Sequence, residues 1–270
     1  MRSLWKGFLS FGLVNIPVKL YVATEKKDPK FRYLHQECMT PVQYQKRCPT
    51  CNKELENEEI VYGYEYQKGR FVVLSEEDFS RVPVESTRSV DILDFVDLRE
   101  VDPVYFDKSY YLEPGEGGNK AYSLLIQAMQ ATGKVAIARV VIRTKEALAA
   151  VRVNDNLLVM ETMFYPDEVR SYAGLALPSG DVKLHDNEIK MAVNLIENLS
   201  STFDPSKYKN QYRQALHEMI EAKIAGQEIA VAPQAPTANV VDLMEALKQS
   251  VKLAEKERKK AKPRKTKVGT

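Results

Sequence analysis

Cysteine and histidine are scarce in this 270-residue chain, which has three of each. So few cysteines, and an odd number of them, exclude a disulfide framework and leave free thiols or metal ligands. No uninterrupted apolar run approaches the roughly 20 residues that cross a bilayer, so no membrane partner is expected. The N-terminal GFLSFGLVNIPV (7–18) is broken by Ser10, Asn15 and Pro17 and lacks a small-x-small cleavage site, which argues against a signal peptide and for a cytoplasmic protein. There is no serine in a G-x-S-x-G setting. GEGG (115–118) and TGK (132–134) do not complete a phosphate loop, because Ala128 stands where the first glycine is needed and Val135 follows Lys134. His185 and His217 fall in polar, helix-rich segments without an apparent partner. No internal repeat is visible. Enzyme chemistry has no foothold, and binding becomes the expected role.

The stretch HQECMTPVQYQKRCPTC (35–51) nevertheless gathers all three cysteines and one histidine as His-x2-Cys, nine residues, Cys-x2-Cys. The x2 spacing lets two donors reach one ion from a single tight turn, and it occurs twice. His35, Cys38, Cys48 and Cys51 are a donor set suited to tetrahedral Zn2+, and with no open position implied the ion would be structural. A redox CxxC is the competing use, but no thioredoxin-like βαβ pattern surrounds it. A zinc knuckle over about 31–55 is expected, in a region where a metal would supply stability that an apolar core does not.

The net charge of +2 conceals an asymmetry. Residues 248–270 hold ten Lys or Arg against Glu255 and Glu257, a local charge of +8, which leaves −6 for the remainder. A basic tail on a mildly acidic body points to a polyanionic partner, with nucleic acid the first choice.

Alternation of apolar residues from Trp5 to Ala23 predicts one or two strands. IVYGYEY (60–66) and RFVVL (70–74), separated by Gln67, Lys68 and Gly69, predict a hairpin, followed by a short helical turn SEEDFS with Ser75 as N-cap. SVDILDFVDL, VYFDKSYYLEP and KVAIARVVIR predict strands, and NKAYSLLIQAMQAT a helix ended by Gly133. A period of two places Arg139 and Arg143 on one strand face; it also sends Asp91 and Asp97 one way and Asp94 the other, which argues against a carboxylate cluster for Mg2+. TKEALAA (144–150) predicts a helical turn, and VRVNDNLLVMETMF two strands joined at Asn154, Asp155 and Asn156. The first 165 residues are therefore a mixed, β-dominated α+β fold closer to a barrel than to an alternating βαβ pattern. Beyond Gly180 come a helix with Ile189, Val193 and Ile196 at helical spacing, a second helix around 208–224, a Pro/Ala linker at 230–239, and an amphipathic helix whose stripe is Val240, Leu243, Met244 and Leu247.

MRSLWKGFLSFGLVNIPVKLY, GYEY with RFVVL, ILDFVDLREVDPVYFDKSYYLEP, KAYSLL with TGKVAIARVVIR, METMFYPDEVR and VVDLMEALKQS together resemble the prokaryotic Ku family, in order and over essentially the whole chain. The resemblance implies a Ku-core β-barrel with an inserted knuckle over 1–180, a helical arm over 181–229, the linker, and a ligase-interaction helix with basic tail over 240–270. It implies a homodimeric ring that threads double-stranded DNA ends without reading sequence and recruits an ATP-dependent end-joining DNA ligase, with no chemical step. It supports His35, Cys38, Cys48 and Cys51 as the paired Cys/His positions, and Val240, Leu243, Met244 and Leu247 as the ligase surface. It also implies that the lysine-rich tail, with Lys259, Lys260, Arg264 and Lys265, contacts DNA. The core cations expected to meet phosphate are Lys68 and Arg70 at the hairpin tip, with Lys134, Arg139 and Arg143 along one strand. A zinc-ribbon adaptor that binds proteins is the competing expectation.

Overall fold

The strand pairing that organises the fold begins with two antiparallel strands, β1 (Trp5–Phe11) and β2 (Val14–Val22), turned at Gly12. The structure, a computed structural model, describes residues 1–81, 88–142, 145–178, 182–226 and 243–261. It divides into two compact units, Met1–Tyr172 and Ala173–Thr270. The 230–239 linker lies outside the described residues, as do Arg143, Val240, Arg264 and Lys265.

In the first unit, β5 (Ser89–Asp97), β6 (Phe106–Pro114), β7 (Lys134–Ile142), β8 (Lys145–Asn154) and β9 (Leu157–Met163) join β1 and β2 in a closed barrel ordered β1-β2-β6-β9-β8-β7-β5. The pairings are antiparallel except for β1 with β5, whose parallel contact at Phe8, Leu9 and Ser10 closes the ring. Inward residues alternate with outward ones: Leu9, Ile16, Val18, Leu20, Leu112, Val140, Val151 and Leu158 are all at most 2% exposed.

The helix α2 (Asn119–Thr132) leaves β6 and enters β7, and turns Tyr122, Leu125, Ile126 and Met129 into the same core at i, i+3, i+4 and i+7. It ends where expected, on Gly133 at φ 66, the left-handed conformation glycine adopts without Cβ strain. Tyr122 is buried, and its hydroxyl donates to Leu112 O at 2.5 Å and accepts from Leu158 N at 2.8 Å. One side chain thus ties α2 to β6 and β9 with its polar atom satisfied.

A separate two-stranded ribbon, β3 (Tyr62–Gln67) and β4 (Arg70–Leu74), precedes the short helix α1 (Glu76–Arg81). A bulge at Glu65/Gln67 draws Gln67 into β3, leaving Lys68 and Gly69 as the turn, with Gly69 N donating to Glu65 Oε1 at 2.7 Å. Ser75 caps α1 as its sequence predicts, exchanging hydrogen bonds with Asp78.

Three expectations need correction. The segment around TKEALAA is not helical where described: Lys145 opens β8, because Ala147 and Ala149 occupy inward positions opposite Val140 and Ala138 of β7. Their small side chains fit the crowded interior, and this packing overrides local helix preference. Second, a bulge between Ile92 and Asp94 inverts the alternation of β5. Asp91 and Asp94 lie opposite Arg139 and Ile137 and share the outer face, while Asp97 aligns with Lys134. Third, the helix expected around 208–224 starts at Gln211, after a 3-10 turn at Pro205–Lys207.

The second unit contains α3 (Asp186–Leu199), α4 (Gln211–Ile224) and α5 (Leu243–Ala261). His185 is the N-cap of α3, its backbone N donating to Glu188 Oε2 at 2.8 Å. α5 packs along α3.

Candidate nucleic-acid interface

The four predicted zinc donors lie in a stretch without a core. From Phe31 through Phe79 no described residue is buried. The chain there folds as two small knuckles, marked by isolated bridges Leu34 to Pro41 and Arg47 to Glu54, each closing around one donor pair. In the first, Met39 N donates to His35 O at 2.8 Å, and His35 Nδ1 contacts Cys38 Sγ at 3.1 Å. Hydrogen bonds from Thr40 and His35 bring the Cys38 thiol down to about 7. In the second, Asn52 N donates to Cys48 O at 3.0 Å, and the backbone and thiol of Cys51 lower Cys48 below the ordinary thiol range. Both thiols are thus shifted toward the thiolate form that a metal binds. The structure holds these donors as two pairs: among the described residues no group of three or more His, Cys, Asp or Glu side chains comes together.

The predicted DNA-contacting cations are not equivalent. Lys134 Nζ lies 2.9 Å from Asp97 Oδ2, and that carboxylate raises the Lys134 pKa. Arg139 faces Asp91 across the strand pair, and its Nε lies 4.0 Å from Glu146 Oε2, a carboxylate that also accepts from Tyr165 Oη at 2.9 Å. Lys134 has the parity of the inward Ala136 and Ala138, and Arg139 the opposite parity, so the two do not share a face. Arg152, also on the barrel, is held by Glu161 at 2.9 Å. Lys68 and Arg70 differ: exposed at the ribbon tip, they form no ion pair among the described residues and keep their charge available to a phosphate. Lys259 and Lys260 lie in α5, where only the backbone is described.

Around that tip the ribbon leaves apolar surface open on both faces. Tyr62, Tyr64 and Val72 share one face, with Tyr62 set edge-on to Phe79 of α1 at 5.5 Å; Phe71 and Val73 share the other. All five are between 45% and 65% exposed. Periodicity announced the two strands, but only their exposure among the described residues identifies them as an open surface.

The predicted ligase surface is only partly open. Met244 and Leu247 are half-buried, as is Val251, and Ala254 is buried, on a helix that packs on α3. The Leu243 side chain lies outside the described residues. Among the described residues no helix is long and apolar enough to cross a membrane.

Comparison with known proteins agrees with this architecture. The Ku70/Ku80 beta-barrel domain matches residues 10–191. Proteins named Non-homologous end joining protein Ku are 56% identical in Symbiobacterium thermophilum, 49% in Heliobacterium modesticaldum and 47% in Bacillus subtilis, each over at least 93% of this chain. The chain spans 64% of the Symbiobacterium protein's length, 95% of the Heliobacterium protein's and 82% of the Bacillus protein's. With a matching domain that includes six of the seven barrel strands whole and the end of β1, and with relatives similar over at least 93% of this chain, the chain belongs to the Ku family.

Proposed function

We propose that this chain binds double-stranded DNA ends as a homodimeric ring in non-homologous end joining, in the cytoplasm at the nucleoid, and recruits an ATP-dependent end-joining DNA ligase. The observation that carries the reading is its similarity over nearly full length to proteins named for end joining. The ribbon supports it: cations that form no ion pair among the described residues sit at the tip, and a two-stranded ribbon with apolar surface on both faces is marginal alone and gains stability from a second chain. Phosphate contacts without base contacts give affinity without sequence preference. Consistent with a family of DNA-binding, non-enzymatic end-joining factors, no chemical step is involved. The ligase is placed at the segment from Val240 through Leu247, reached by opening the α5 packing or by the outward side of that helix.

The test is a gel-shift titration near physiological salt, using the full chain and a variant with Lys259, Lys260, Arg264 and Lys265 changed to Gln. Linear duplex is expected to bind, and covalently closed circle or linear duplex capped by bulky hairpins to bind at least about 1,000-fold more weakly, the lower end of the margin by which specific exceeds non-specific binding. The neutralised tail should preserve that preference. Equal binding to circle and linear duplex, or binding that vanishes with the tail charges, would favour the protein-binding adaptor instead.

Zn2+ is proposed as a structural ion held by His35, Cys38, Cys48 and Cys51. The donor types, the doubled x2 spacing and the two lowered thiols support it, and binding would draw the two pairs into one tetrahedral sphere. Elemental analysis should find about one equivalent of zinc per chain, falling to near zero in Cys48→Ser. Metal content below half an equivalent in the unmodified protein overturns this assignment.

A further inference from the structure

In the second unit, FDPSKYKNQYR (203–213) carries Lys207, Lys209 and Arg213. Its one acid, Asp204, already accepts from Ser206 N at 3.0 Å and Ser206 Oγ at 2.7 Å, and the next acid along the chain is Glu218. Interleaved with these cations are three aromatic rings, Phe203, Tyr208 and Tyr212, at least 71% exposed. Phe203 and Tyr208 stack on each other, with centroids 5.8 Å apart and planes at 25°.

The backbone that presents them is held in place at both ends. The 3-10 turn Pro205–Lys207 is capped by Asp204, and Asn210 caps α4 by accepting from Arg213 N at 2.9 Å. The positive end of the α4 dipole therefore adds to a local field already set by three cations. A stacked pair of rings left this open to water has an affinity for another planar group, and the cations select a partner that carries negative charge between such groups. An acidic peptide supplies the charge and no plane. A duplex supplies phosphates, but its bases are stacked on one another. A single strand supplies both.

We propose that residues 203–213 bind the single-stranded overhang of a broken DNA end, with unpaired bases stacking on Phe203 and Tyr208 and phosphates meeting Lys207, Lys209 and Arg213. This rests on the end-binding reading above and adds a structural preference among ends.

The experiment is fluorescence anisotropy of the full chain at fixed, near-physiological salt, on a blunt duplex and on the same duplex carrying a short single-stranded extension. The extension should tighten binding about tenfold, the scale of one base stacked on an aromatic ring. Phe203→Ala with Tyr208→Ala should remove that gain and leave the blunt duplex unaffected, whereas Tyr208→Phe should keep it. No gain from the extension, or equal losses on both duplexes, overturns the proposal. So does a double variant with a smaller sedimenting mass than the unmodified chain, because the rings would then cover a protein contact. If blunt duplex is not bound at all, the end-binding reading fails; binding to the extended duplex that the double variant abolishes still upholds this site, and binding that the double variant leaves intact removes it.

Discussion

Gly7→Ala is expected to lower the melting temperature by about 6–12 °C, the consequence of about 3 kcal/mol of overpacking in a unit of this size. A Cβ built on Gly7 meets Arg88 O at 2.0 Å and the Trp5 ring at 2.2 Å. The carbonyl cannot retreat freely, because it accepts from Phe8 N at 2.8 Å at the start of the parallel contact between β1 and β5. That contact is the seam by which a seven-stranded sheet becomes a barrel. Relief of the clash must therefore come from opening the seam or expelling Trp5 from its packing on the core. Thermal unfolding followed by circular dichroism reads the effect, and a melting temperature within 2 °C of the unmodified chain, near the limit of what a fraction of a kcal/mol produces, contradicts it.

Leu112→Ala should cost about 4 kcal/mol, and about 8–16 °C, through lost burial and the cavity left behind. Leu112 is fully buried and stands between Leu20 of β2 and Leu158 of β9 in one inward row across three adjacent strands. Because β-strands hold their backbones in register, the neighbours have little freedom to collapse into the gap. The carbonyl of Leu112 also accepts from Tyr122, so relaxation of β6 would loosen α2 as well. Urea titration of the same variant should show a lowered midpoint with an unchanged slope, since the folded surface is retained. A loss below about 1 kcal/mol would mean that the row repacks.

Both positions lie in the barrel, and the ribbon is inserted in the chain between its strands β2 and β5. A ribbon of two strands has no core of its own, so its placement depends on how the chain on either side of it is held. Three of the barrel's cations are already engaged: Lys134 by Asp97, Arg139 near Glu146, and Arg152 by Glu161. Each such pair at a partly exposed site contributes little to stability but reduces the charge a passing phosphate encounters.

Much of this architecture was legible from the chain alone. The two-residue period of VNIPVKLYV and KVAIARVVI, the 3.6-residue stripe of Tyr122, Leu125, Ile126 and Met129, the Ser75 cap and the Gly133 terminus are local signals, and each element formed where its signal stood. The family resemblance was equally legible, since it rests on blocks of residues in order.

What only tertiary structure decided is non-local. Whether Ala147 and Ala149 belong to a helix or a strand depends on Val140 and Ala138 of β7, side chains that local propensity does not see. The direction of Asp97 depends on a bulge whose register is set by β7. Tyr122 reads in sequence as one more apolar position, and becomes a polar tie only when Leu112 O and Leu158 N arrive from two other strands. Charge patterning identified the cations, but which of them remain unpaired was settled by pairing distances of a few ångströms between residues as much as 37 positions apart. Periodicity and caps act within a turn or two of the chain, whereas pairing, burial and electrostatic neutralisation act through space once the barrel has closed.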